Sequence, residues 1–148
     1  MIDNGTEAPP RPAPPETLDD HPPVRAVMSR QLVAIDPAAP LRTALRLMTA
    51  GAVRHLPVVG DGRCVGVVAD VDLLSGMVAG RGPFGSAPLL VRDVMRPVSA
   101  VAPSLPLADA ARRMEAENTD VLVVVEAGSL LGIVTATDLV HAVATRVG

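Results

Sequence analysis

The chain repeats itself, and this constrains its fold more than any other feature. Val24-Arg25-Ala26-Val27-Met28 returns as Val91-Arg92-Asp93-Val94-Met95. Pro37 and Pro40 return as Pro103 and Pro106, and Ala44 and Met48 return as Ala110 and Met114. Gly66, Asp72 and Leu73 return as Gly132, Asp138 and Leu139. The offset is constant at 66 from Pro37 onward (37 to 103, 72 to 138) and is 67 at the opening methionine (28 to 95), so one short indel separates the copies. A fixed offset of this kind marks one supersecondary unit used twice. Each copy has about 55–60 residues, a size at which independent stability is marginal. The copies are therefore expected to pack together about a pseudo-twofold axis.

Both copies read β-α-β-β-α, which places the chain in the α/β (α+β) class. A short extended stretch comes first, at 32–36 and 98–102. A helix follows with apolar residues at i, i+3, i+4 and i+7: Leu41, Ala44, Leu45, Met48, and again Leu107, Ala110, Ala111, Met114. Pro40 and Pro106 stand where a first helical turn tolerates proline. Two apolar strands come next, at 56–59 and 64–68 around Gly60-Asp61-Gly62, and at 121–125 and 130–134 around Gly128. Both joints are hairpin signals. A second helix is expected to start near Asp72 and Asp138. The implied organisation is a tail at 1–23, a first repeat at 24–75, a Gly/Pro-rich connector at 76–90 pinned by Phe84, and a second repeat at 91–148.

Composition excludes several function classes. The tail holds seven of the 15 prolines and almost no bulky apolar residue, so it is expected to be disordered. The chain has no Trp, no Tyr and one Phe, and its 13 basic residues, all Arg, are scattered against a net charge of −3. Nucleic-acid binding, which needs a basic stripe or stacking aromatics, is not expected. An Arg-only, Ala- and Pro-rich chain hints at a GC-rich bacterial genome. The single cysteine, Cys64, excludes an internal disulfide and a cysteine zinc site, and it is expected to be a buried small hydrophobe. No apolar run approaches the roughly 18 residues of a membrane span, and no signal peptide is apparent, so a cytoplasmic location is expected. No nucleophile–base set, P-loop or metal-ligand spacing appears, so an enzyme is not expected.

A duplicated β-α-β-β-α unit that opens with V-x-x-V-M and closes with G-h-h-T-x-x-D (h is hydrophobic) resembles a tandem CBS-domain pair, or Bateman module. The closing motif is Gly132-Ile133-Val134-Thr135-Ala136-Thr137-Asp138-Leu139 in the second copy and Gly66-Val67-Val68-Ala69-Asp70-Val71-Asp72-Leu73 in the first. The resemblance covers residues 24–147.

The chemistry of that motif is legible. A strand gives way to a helix N-terminus, whose unpaired N–H groups and positive dipole end suit a phosphate. Thr135 and Thr137 add hydroxyls, and the Asp138 carboxylate suits vicinal ribose hydroxyls. T-x-x-D also has the form of a capping box, and one hydroxyl can cap a helix and border a ligand at once. The resemblance carries ribose or phosphate roles to Asp138, Thr135, Thr137 and Asp72. It also carries a base slot to Val33-Ala34 with Leu56-Pro57, and to Ser99-Ala100 with Val121-Leu122. Ala69 replaces the first motif's threonine, whereas Arg54 and His55 offer that copy phosphate donors. Asp120 and Val121 stand in their places in the second copy. The two sites are thus expected to be unequal, with Arg54 able to serve a phosphate from either.

The resemblance implies a regulatory module that binds an adenosyl ligand (AMP, ADP or ATP) and requires no cofactor. Binding is expected to change the arrangement of the repeats or of a homodimer, to which helices 107–117 and 138–147 contribute, and so to regulate an unknown partner protein. The alternative is a ligand-free dimerisation or scaffolding module, with Ala69 a sign of decay.

Overall fold

The computed structural model of the chain describes residues 22–30, 33–79 and 89–147. The tail up to residue 21, Phe84 with most of the connector, and the start of the first extended stretch lie outside the described residues.

Helix α1 (Leu41–Gly51) leads into β1 (His55–Gly60), β2 (Arg63–Ala69) and α2 (Asp70–Ala79). After a one-turn helix α3 (Val91–Val94), the order returns as β3 (Ala100–Val101), α4 (Leu107–Glu117), β4 (Val121–Glu126), β5 (Ser129–Thr135) and α5 (Ala136–Val147). A 3-10 turn over Val24–Ala26 takes the place of α3 in the first copy. The mixed class and the two β-α-β-β-α repeats are thus as the sequence implies. Among the described residues the first extended stretch of the first copy forms one parallel bridge, Ile35 with Val58, where the second copy has β3 alongside β4.

Local sequence explains the elements. Helices α1 and α4 bury Leu41, Ala44, Met48 and Leu107, Ala110, Met114, the apolar stripe of the repeat. Pro40 and Pro106 sit extended at their N-caps, one residue before the first turn. The hairpins turn through Asp61-Gly62 and Ala127-Gly128, all four at positive φ, the twist that two-residue hairpin loops favour. Helices α2 and α5 start at Asp70 and Ala136, two residues earlier than Asp72 and Asp138. The reason is that each aspartate acts from inside the first turn, accepting the N–H of Ala69 or Thr135 at 3.0 and 2.8 Å.

The sequence repeat is not the packing unit. Val24 is fully buried in a core formed with Val101, Leu107, Ala110, Met114, Leu122, Val124 and Val134, all from the second copy. Val91 is fully buried among Ile35, Leu41, Ala44, Met48, Leu56, Val58, Val68 and Leu73, all from the first. Each V-x-x-V-M segment therefore completes the core of the other copy. It then runs along the other copy's closing strand: Ser29 and Ile133 exchange backbone hydrogen bonds of 2.8 and 3.1 Å, and Arg96 and Val67 exchange two of 2.9 Å. Val67, Val121 and Ile133 bury a small apolar cluster where the copies meet.

The motif glycines permit this crossing. A Cβ on Gly132 would lie 2.7 Å from the Met28 sulfur and 2.8 Å from the Ser29 carbonyl oxygen, and one on Gly66 would lie 2.7 Å from the Arg96 carbonyl oxygen. Of the two helices expected to suit dimer contacts, α5 exposes Val140 and Val143, whereas α4 turns Arg112, Arg113, Glu115 and Glu117 outward. Val71, Leu74 and Val78 form a second exposed apolar row, on α2.

Gly132→Ala is expected to destabilise the fold by about 2–3 kcal/mol, the cost of overpacking against backbone that cannot yield. Urea denaturation measures this, and an unchanged midpoint would show that the crossing strands are free to separate.

Candidate ligand-binding site

Two clefts lie between the copies, and each is built from both. The first, of about 460 Å³, places Asp138, Thr135, Thr137 and Ile133 opposite Val33, Ala52, Val53, Arg54, His55 and Pro57, with Ser29 at its edge. The second, of about 680 Å³, places Ala69, Asp70, Asp72 and Val67 opposite Glu115, Asn118, Thr119, Asp120 and Val121, with Arg96 and Pro97 at its edge. Arg54, His55 and Thr137 line both.

The closing motifs are capping boxes, as their spacing allowed. In the second copy, Thr135 donates its N–H and its hydroxyl to Asp138 Oδ2 at 2.8 and 3.1 Å, and Asp138 N–H donates to Thr135 Oγ1 at 3.3 Å. Among the described residues Asp138 Oδ1 has no hydrogen-bond partner. In the first copy only half the box forms, because Ala69 has no hydroxyl: its N–H donates to Asp72 Oδ2 at 3.0 Å. The other oxygen, Oδ1, accepts Arg96 Nε at 2.8 Å and lies 2.6 Å from Arg96 Nη2 in an ion pair. Asp70 accepts the N–H of Val71 and so serves the helix start.

Arg54 is exposed, on the residue before β1, where its carbonyl accepts the Asp70 N–H at 3.0 Å. Its counterpart Asp120 accepts the Ala136 N–H at 2.9 Å in the same way. His55 Nε2 lies 3.5 Å from Asp120 Oδ1, so the two copies also meet where the clefts adjoin.

The structure brings Asp138, Thr135, Thr137, Arg54, His55 and Pro57 to one cleft, and Asp72 and Val121 to the other. Leu56 and Leu122 line neither; both are fully buried in the cores. Ala34 is exposed and lines neither, because side chains alternate along an extended chain and Val33 takes the cleft-facing position. Ala100 borders a separate cavity of about 260 Å³ with Arg63, Cys64 and Leu130. Sequence reasoning missed Ser29, Arg96, Ala52, Val53, Asn118 and Thr119. Ser29 and Arg96 each follow a repeated V-x-x-V-M methionine, so the signal was the unlike residue one step past a like motif.

Cys64 is half-buried, and burial pushes its thiol above the ordinary value, which makes it a poor nucleophile. Among the described residues no group of three His, Cys, Asp or Glu could hold a metal ion, and no helix is long and apolar enough to cross a membrane.

A model described as CBS domain matches the chain twice, over residues 24–79 and 91–145. The chain is 31% identical over 121 residues, 80% of its own length, to a homoserine O-acetyltransferase of Methanococcoides burtonii, and it spans only 24% of that protein. Among solved structures it is similar to AcuB from Vibrio cholerae, at 28% identity and a TM-score of 0.69, covering 84% of this chain and 92% of that one. CBSX2, solved in complex with AMP, is 32% identical with a TM-score of 0.69, covering 85% of this chain and 98% of that one. A CBS domain pair solved with 5′-methylthioadenosine and S-adenosyl-L-methionine shares the fold at 19% identity and a TM-score of 0.74, covering 85% and 98%.

Ala69→Thr is expected to complete the first capping box and stabilise the protein by roughly 0.5–1 kcal/mol. A rise in the thermal midpoint checks this, and a fall would show that the first motif has no room for the hydroxyl.

Proposed function

The chain belongs to the CBS domain family, and from that premise we propose that it is a regulatory module, not a catalyst, which binds an adenine nucleotide between its two repeats. One observation carries the reading. Asp138 spends one carboxylate oxygen on capping α5 and keeps the other without a partner among the described residues, in a cleft faced by Arg54. The volume of about 460 Å³ lies in the range of small-ligand sites, roughly 300–1,000 Å³.

In this reading Asp138 Oδ1 accepts the ribose hydroxyls. Thr137 and Arg54 hold the phosphate near the start of α5, where helix-end N–H groups and dipole favour an anion. Val33, Val53, Pro57 and Ile133 flank the base with apolar surface. The AMP complex of CBSX2, 32% identical to this chain, supports the choice of ligand.

Arg54 belongs to the first repeat and Asp138 to the second, so one nucleotide bridges the two. Binding shifts their arrangement to the extent that one arrangement binds better. The exposed apolar rows on α2 and α5 are the face through which a homodimer would transmit that shift to a partner.

AMP or ATP at a hundredfold excess over Kd is expected to stabilise the wild type by about 2.7 kcal/mol, read as a rise in Tm. Asp138→Asn, which keeps a capping oxygen, is expected to abolish the rise, and Arg54→Ala to weaken AMP about tenfold while leaving adenosine unchanged. No shift with AMP, ADP, ATP, NADH or S-adenosylmethionine would favour a ligand-free dimerisation module, and a full shift in Asp138→Asn would remove the assigned ribose site.

A further inference from the structure

The two clefts are related by the repeat, yet their carboxylates are in different states. Ser29 and Arg96 occupy equivalent places: each is the residue after the V-x-x-V-M methionine, and each exchanges a pair of backbone hydrogen bonds with an equivalent strand residue, Ile133 or Val67. The backbone thus delivers either side chain to the same spot beside the closing aspartate of the other copy. In one cleft that side chain is a serine, and Asp138 Oδ1 has no partner among the described residues. In the other it is an arginine, with two guanidinium nitrogens on Asp72 Oδ1 at 2.8 and 2.6 Å. The Asp72 side chain is only 9% exposed beneath it, while that of Arg96 is 65% exposed.

We infer that Arg96 is a built-in occupant of the first-repeat ribose corner and, with Ser29 opposite, determines that this chain binds one nucleotide and not two. The inference rests on the nucleotide reading above. Both Asp72 oxygens are engaged, Oδ2 by the Ala69 N–H and Oδ1 by Arg96. A ribose diol would have to displace the guanidinium, and its uncharged hydroxyls would have to replace an ion pair as well as a hydrogen bond. A second, independent difference points the same way. Arg54 lines both clefts, but the latched one also carries the Asp70, Glu115 and Asp120 carboxylates, which repel a phosphate and have no counterpart in the cleft of Asp138. Arg96 is exposed and anchored through its backbone, so replacing its side chain leaves the crossing strands paired.

Calorimetric titration of the full chain with AMP tests the inference. The wild type is expected to bind one AMP per chain. Arg96→Ser, which copies the other cleft, is expected to gain a second, weaker site. Ser29→Arg, which places the arginine beside Asp138, is expected to weaken the original site at least about tenfold, the loss of a ribose hydrogen bond to a charged group. Two sites in the wild type, one site in Arg96→Ser, or wild-type affinity in Ser29→Arg would each overturn the inference and leave the nucleotide reading standing. If the wild type binds no AMP, the nucleotide reading itself falls and the inference with it.

Discussion

The structure depends on two short segments crossing. Val24 and Val91 each leave their own repeat and fill the core of the other, and the chain beyond each runs against the other repeat's closing strand. Neither core is complete without this exchange. A unit of such size is only marginally stable alone, and the exchange makes the two units one. It also explains Gly66 and Gly132, which leave no atom in the path of the Arg96 and Ser29 carbonyls.

The same crossing sets the chemistry of the clefts. Because each segment ends beside the other copy's capping aspartate, the residue after the methionine becomes that carboxylate's neighbour. Serine leaves Asp138 with an oxygen to offer, and arginine neutralises Asp72. A symmetric backbone therefore carries two unlike sites, and the Glu115 and Asp120 carboxylates on the Asp72 side deepen the contrast. The aspartates start the helices whether or not a ligand is present, so the cap and the proposed ribose contact are two uses of one carboxylate.

Residues from both repeats face each other in each cleft. A ligand held there touches elements that the chain otherwise joins through the crossing segments, the Val67–Val121–Ile133 cluster and the His55–Asp120 contact. The Val67–Val121–Ile133 cluster and the His55–Asp120 contact are small beside the two cores. A molecule spanning them has more influence on how the repeats sit than on how either repeat folds, as a regulatory module requires.

The sequence by itself determined the architecture. The apolar stripe of Leu41, Ala44 and Met48, its copy at Leu107, Ala110 and Met114, the paired hairpin turns and the constant offset leave one arrangement of elements, because each is a local pattern stated twice. It also placed Thr135, Thr137 and Asp138 at one strand–helix junction, since a capping motif there is readable along the chain. Tertiary structure alone decided which copy each V-x-x-V-M segment completes, that Leu56 and Leu122 belong to cores and Val33 and Val53 to a cleft, and that Arg96 rather than solvent meets Asp72. The Arg96–Asp72 contact spans 24 residues, and the segment crossings join different repeats. A periodic pattern shows which face of an element is apolar, but not which neighbour covers it.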